Sequence, residues 1–141
     1  MPSRNTRKLK ELIFTTLNSD ATLQTLLGGP GKIKHANPLS LAEYPCVVYD
    51  LVADSDEPYL PDQPTGISNT RLAIQIFSNS TSSGESDTIE DRVYELLHGK
   101  NLINSDHIIY SCYRVNRFAF FESEFDVWRV ETRYDVVNAL K

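Results

Sequence analysis

LAIQIFSNSTSSGESDTIEDRVYELLHG, residues 72–99, carries two hydrophobic periods in succession. Leu72, Ile74 and Ile76 alternate with Ala73 and Gln75, and Arg71 just upstream continues the polar row. A period of two marks a strand with one buried face. After the polar, cap-rich run SNSTSSGESD the period lengthens. Ile89, Val93, Leu96 and Leu97 form the stripe of a helix over roughly residues 86–98, and Gly99 is its natural stop. Glu85, Asp87, Glu90 and Asp91 crowd the first turns, where the positive helix end favours acids. Together the two periods predict a sheet with a helix laid on it.

Both flanks extend that picture. Upstream, Leu9, Leu12, Ile13 and Leu17 recur at helical spacing among Arg7, Lys8, Lys10 and Glu11, which predicts a helix over residues 4–18. Asp20 can cap a short turn bearing Leu23, Leu26 and Leu27, stopped by Gly28 and Gly29. Residues 32–35 read as a short extended piece, and YPCVVYDLV, residues 44–52, as a strand with Pro45 near its start. Downstream, residues 108–121 and 125–137 form a long hairpin turning at Glu122, Ser123 and Glu124. In its second arm Trp128, Val130, Tyr134 and Val136 face away from Arg129, Glu131, Arg133 and Asp135. The expected fold class is α+β. A mostly antiparallel sheet of four to five strands is covered mainly on one face by two helices and ends in a long β-hairpin. Leu9, Ile13, Leu17, Ile89, Val93, Leu96 and Leu97 should meet Leu72, Ile74, Ile76, Trp128 and Val130 in one core. With 141 residues, one domain over 1–141 is expected.

One segment breaks the pattern. ADSDEPYLPDQPTGISN, residues 53–69, holds four acids, three prolines and no base, and reads as a long acidic loop between two strands. Loops longer than about 12–15 residues are uncommon in compact domains and are usually functional or mobile. It is expected to order on assembly. Charge is also uneven along the chain: residues 1–35 hold six Lys/Arg and two acids, whereas residues 36–70 hold six acids and no Lys/Arg. This can orient one copy against another, or simply form a solvated surface.

Elementary chemistry excludes several functions. A net charge of −5 gives no general attraction to nucleic acid or to an anionic membrane. No apolar run approaches the roughly 18 residues that span a bilayer, and MPSRNTRKLK does not resemble a secretion signal. Cys46 and Cys112 make no disulfide framework, so a reduced, intracellular setting is expected. LLGGPGK, residues 26–32, lacks phosphate-loop spacing and follows a helix. Asp54, Asp56, Glu57 and Asp62 lack the ligand alternation of a calcium loop. His98, His107 and Cys112 match no ligand spacing, and a small Cys/His-dependent enzyme would require them to converge in a cleft. The aromatic run YRVNRFAFF, residues 113–121, lies beside too many acids for an RNA platform. Alternation sends Phe118 and Phe120 to one sheet face and Phe121 to the other. No catalytic residue, metal or cofactor is expected.

Four segments together carry a resemblance over about residues 9–137. They are SDATLQTLLGG (19–29) leading into KIKHA, the proline-entered YPCVVYD (44–50), the strand–helix unit already quoted, and the closing VWRVETRYDVV (127–137). In this order they resemble the tail-completion, or tail-terminator, family of long-tailed siphophages. The resemblance implies a structural, non-catalytic virion protein, assembled in the host cytoplasm and placed at the head-proximal end of the tail. It implies a ring, typically hexameric, that caps the tube protein, stops polymerisation and docks the head connector, while genomic DNA passes through without specific binding. A head-side stopper or adaptor ring is the alternative. Within such a ring, Asp54, Asp56, Glu57 and Asp62, then Glu122 and Glu124, are candidates for a weakly repulsive lumen, with the outer rim as their other placement. Arg4, Arg7, Lys8 and Lys10 are candidates for steering between subunits, and Tyr113, Phe118, Phe120 and Phe121 for the apolar contact.

Overall fold

The computed structural model describes residues 3–35, 44–56 and 68–140. The amphipathic N-terminal stretch forms α1 (Ser3–Asn18), followed by the short α2 (Ala21–Leu27). Asp20 is the α2 N-cap and accepts the Leu23 N–H at 2.8 Å. Gly28, at φ 82°, ends the helix in the left-handed conformation that a side chain resists. Then come β1 (Ile33–His35), β2 (Cys46–Asp56), β3 (Ser68–Ser78), α3 (Gly84–Leu97), β4 (His107–Glu122) and β5 (Val127–Leu140).

The five strands make one sheet in the order β1-β2-β3-β5-β4. Only β1 runs parallel to its neighbour. The remaining pairs are antiparallel, so the expected α+β class and mostly antiparallel sheet are observed. The helices pack on one face, where Leu9, Ile13 and Leu17 of α1 and Ile89, Val93 and Leu97 of α3 meet Leu72, Ile74, Ile76, Val130, Tyr134 and Val136. Each side chain of this size contributes about 1.5–3 kcal/mol on full burial, so the matched periodicities supply the main cohesive term. A smaller cluster on the opposite face gathers Cys46, Val48, Phe77 and Val127.

Three expectations need correction. Trp128 is absent from the main core: half-buried, it stands edge-on to Phe121 at 5.1 Å. The alternation places it on the correct face, but at a register close to the hairpin turn. Phe125 belongs to that turn, not to β5, and its N–H bonds to the Glu122 carbonyl at 3.1 Å. Finally, β2 and β3 run into both ends of the segment read as a loop. Asp54 pairs with Thr70, Ser55 with Asn69 and Asp56 with Ser68, beyond a bulge at residues 51–53. The strands continue because β5 extends alongside them, with Ser68 in register with Asn138 and the Asn138 amide reaching Thr70 Oγ1 at 3.1 Å. Backbone pairing needs no apolar side chain. Residues 57–67, including Glu57 and Asp62, lie outside the described residues.

Candidate assembly surface

β4 forms one edge of the sheet, and its outer backbone is unevenly covered. The segment after α3 folds against the first half of that edge. Asn104 donates to the His107 carbonyl at 3.0 Å, Ile109 to Leu102 at 2.7 Å and Gly99 to Cys112 at 2.7 Å. The Arg114 N–H then donates to His98 Nδ1 at 3.0 Å. Beyond Arg114 and its bulge this cover stops.

There the side chains become exposed and apolar. Phe118 is 53% accessible, Phe120 40% and Phe121 44%, and Tyr113, Val115 and Phe125 are also exposed. Phe118 and Phe120 stand in register with Glu131 and Arg129 on the helix-free face. Phe121 stands opposite Trp128 on the other face. The apolar candidates Tyr113, Phe118, Phe120 and Phe121 therefore lie on one strand, with sides of it that point both ways. Tyr113 packs edge-on to the ring of His98, 5.3 Å away. Val115 belongs to this strip too; its position next to a strand bulge hid it from an alternation argument.

The charged candidates are more dispersed. On α1, Arg7 is exposed, whereas Lys8 pairs with Glu11 at 3.4 Å and Asp106 at 3.3 Å inside the subunit. Lys10 is half-exposed, and the Arg4 side chain lies outside the described residues. Asp54 and Asp56 belong to β2. Glu122 is held by Arg129 at 2.6 Å, so its charge is answered locally, while Glu124 is exposed on the turn. The helix-free face carries an interlocked charge lattice: Arg71–Asp135 at 3.0 Å, Gln75–Glu131 at 2.9 Å, and Arg129 and Arg133 converging on Glu131 at 3.1 and 3.4 Å. Burial pushes the Glu131 carboxyl upward, but the hydrogen bonds from Arg129 and Gln75 together with the charges of Arg129 and Arg133 hold it below its ordinary range.

Glu90 departs from its expected place. Sequence assigns it to the acidic first turns, yet it is 2% exposed and faces β4, where Arg114 grips it and Arg117 lies 3.7 Å away. Burial raises its pKa despite both arginines. Arg114 also lies 4.4 Å over the Tyr94 ring, and Arg117 reaches Asp87 at 2.7 Å. This cluster pins the uncovered half of β4 to α3.

The three groups required by the Cys/His enzyme reading serve separate neighbours. His98 caps the β4 edge. Cys112 is buried in the core and its thiol is pushed up to about 12, which leaves no thiolate near neutral pH. His107 is fully buried, with Nε2 2.9 Å from Asn138 Oδ1. The Asn138 nitrogen donates to the Val136 carbonyl and Thr70 Oγ1, so its oxygen accepts and His107 carries its proton on Nε2. Among the described residues no three His, Cys, Asp or Glu gather as a metal site. No described helix is long and apolar enough to cross a membrane.

His107 gives a pH prediction. Burial lowers its pKa, with the Asn138 bond acting in the opposite sense. Above the unfolded value of about 6.5 both states are neutral and its contribution is complete. Below that, the unfolded chain takes up a proton that the folded chain refuses. Stability therefore falls as pH drops from about 6.5 toward the folded pKa, at up to about 1.4 kcal/mol per pH unit. Urea titrations at stepped pH should show this slope in the parent and its loss in His107→Gln, which keeps a donor for Asn138.

A family model described as Tail completion protein gp17 matches residues 11–138. Among solved structures, a chain of the virion of a native gene transfer agent particle aligns at a TM-score of 0.74 and 16% identity, covering 93% of this chain and 94% of that one. At that identity the likeness concerns the fold. No curated protein matches the chain in sequence.

Proposed function

Because the chain belongs to the tail completion protein gp17 family, and so to the structural proteins of the phage virion tail, we propose that its copies close into a ring. In this reading the ring, a hexamer, caps the tube protein, ends tail polymerisation and presents the docking surface for the head connector. It performs no catalysis. The observation that supports it beyond family membership is the exposed aromatic strip on β4 in a subunit whose His and Cys groups serve the fold. Exposed apolar strips of this kind mark contact surfaces. A ring requires head-to-tail contacts between unlike surfaces, with a rotation that closes.

The acids bear on the channel. A duplex is held by Lys and Arg and repelled by carboxylates, so acids suit a lumen through which DNA moves without sticking. Glu124 is the turn acid best placed for this role, since Glu122 is paired with Arg129. Asp54 and Asp56 are the remaining described candidates.

The decisive experiment removes the chain during assembly. Tails made without it should overrun their normal length and fail to join heads, and added subunits should restore both. Tails of normal length lacking only heads would instead assign it to the head-side stopper. The chain should then purify with filled heads and be missing from headless tails.

Steering between subunits is tested by charge reversal. Lys8 is committed within the subunit, so the informative changes are Arg7→Glu and Lys10→Glu. Together they should slow assembly at low salt and flatten its salt dependence, at about 0–1 kcal/mol each, with the thermal midpoint unchanged. Light scattering across a salt series reads this directly. Unchanged low-salt kinetics would remove the electrostatic part of the proposal.

A further inference from the structure

The uncovered half of β4 has a backbone pattern that can be read residue by residue. Cys112 and Arg114 turn their C=O and N–H away from β5, since both bond to the segment after α3. They stand in register with Val136 and Tyr134. Alternation along an antiparallel pair then makes every β4 residue opposite Thr132, Val130 and Trp128 outward-pointing as well. Those residues are Arg117, Ala119 and Phe121. Among the described residues nothing pairs with their outward backbone groups. The stretch contains no lysine or proline, the usual guards of a sheet edge, and its side chains are mainly apolar.

We infer that this edge, residues 116–122, pairs antiparallel with the same edge of a second copy, about a two-fold axis at Ala119. Antiparallel pairing about this axis makes the outward pattern self-complementary over the whole stretch. With Ala119 opposite its own copy, Arg117 faces Phe121 of the other chain, Phe118 faces Phe120, and Asn116 faces Glu122. The outward-pointing residues thus meet one another, each N–H finds a C=O, and the two five-stranded sheets become continuous. Parallel, in-register pairing would instead set Arg117 against Arg117 and Glu122 against Glu122, like charges directly opposed. Antiparallel pairing avoids both clashes. It brings the exposed Phe118 and Phe120 of the two chains into one aromatic cluster on the helix-free face, and sets the stem of Arg117, whose guanidinium stays with Asp87 and Glu90, beside Phe121 on the other.

Such a contact is isologous, so it cannot be the heterologous contact that closes a ring. It occupies the same aromatic side chains, and the two associations exclude each other at any one subunit. The dimer is therefore the form of the free chain, in which an otherwise aggregation-prone edge is covered before assembly. The inference stands on the strand alone and does not depend on the ring reading.

The test is sedimentation and light scattering of the full chain over a concentration series, without other virion proteins. The parent should pass from monomer to dimer. Ala119→Pro removes one N–H at the centre of the contact and none used within the sheet. It should abolish the dimer while leaving circular dichroism and the thermal midpoint in place. Register is read by cross-linking. At the facing pair of residues 118 and 120 the Cα atoms would lie about 4.5 Å apart, within disulfide reach. Under mild oxidation a mixture of Phe118→Cys and Phe120→Cys chains should give the mixed dimer, and neither variant alone should cross-link through that position. The native Cys46 and Cys112 are buried and should not compete. A parent that is monomeric at every concentration, or that associates only as a larger ring, overturns the inference, as does a folded Ala119→Pro chain that still dimerises. Cross-linking of Phe118→Cys with itself would overturn this register, since it moves the two-fold axis to residue 118. Tail length and head joining are measured independently, so loss of this dimer leaves the ring reading intact.

Discussion

Arg114→Ala is expected to destabilise the fold by about 3 kcal/mol. The loss does not come from the arginine's own contacts alone. Truncation leaves Glu90, already 2% exposed, without its principal cation and with only Arg117 at 3.7 Å to answer its charge. A buried carboxylate without a partner costs more than the pair contributes when intact. Urea unfolding at neutral pH gives the comparison. The pH response supplies a second signature. The folded pKa of Glu90 is raised, so its contribution is fully present below the unfolded value and is lost as pH rises through the folded one. Removing Arg114 raises that pKa further, so the variant should recover part of its deficit on acidification. Arg114→Ala together with Glu90→Gln should be milder than Arg114→Ala alone, because the second change removes the stranded charge. Equal or additive losses would show that the cation's packing over Tyr94, at 4.4 Å, is what matters.

Phe121→Ala is expected to act on association instead of folding. The ring is 44% exposed and its one aromatic partner among the described residues is the half-buried Trp128. Truncation should lower the thermal midpoint only slightly. An aromatic anchor at the centre of an interface typically contributes about 2 kcal/mol or more, so self-association should weaken by about 30-fold, at all salt concentrations. That salt independence separates it from the effect of Arg7→Glu and Lys10→Glu. If Phe121→Ala assembles with unchanged affinity, the aromatic strip is not the contact surface.

The two periods in residues 72–99 were enough to place β3 and α3 on a common core, and Leu72, Ile74, Ile76, Ile89, Val93 and Leu97 are all fully buried there. The Asp20 cap was legible because capping is local chemistry, a short side chain reaching an N–H three residues on. Other features depend on who sits next to whom in space. The extension of β2 and β3 through polar residues comes from backbone pairing with β5, which leaves no apolar trace. Glu90 looks like an ordinary helix acid until β4 brings Arg114 to it. Phe118, Phe120 and Phe121 stand out in sequence because FAFF is locally conspicuous, and all three are exposed. The uncovered edge they lie on was not legible, since it depends on where residues 98–104 run after α3. The acidic segment supplied charge but no position, and Glu57 and Asp62 lie outside the described residues.

The strand order carries a consequence for how the subunit comes into being. β5 lies between β3 and β4, and it follows every other element in the chain. Its pairing with β3 joins residues as far apart as Ser68 and Asn138, whereas β4 touches the rest of the sheet only through β5. During synthesis a ribosome can release both N-terminal helices, the β2–β3 hairpin and α3 while the sheet still lacks its middle. Long-range pairings of this kind are slow to form because the loop must close before the contacts return anything. A nascent or truncated chain without residues 127–140 would expose β3 along one side and leave β4 without its only strand partner in the described sheet, a species suited to chaperones and proteases. Synthesis of β5 is thus a checkpoint: only a chain that includes residues 127–140 can hold β4 in the sheet and present its outer edge.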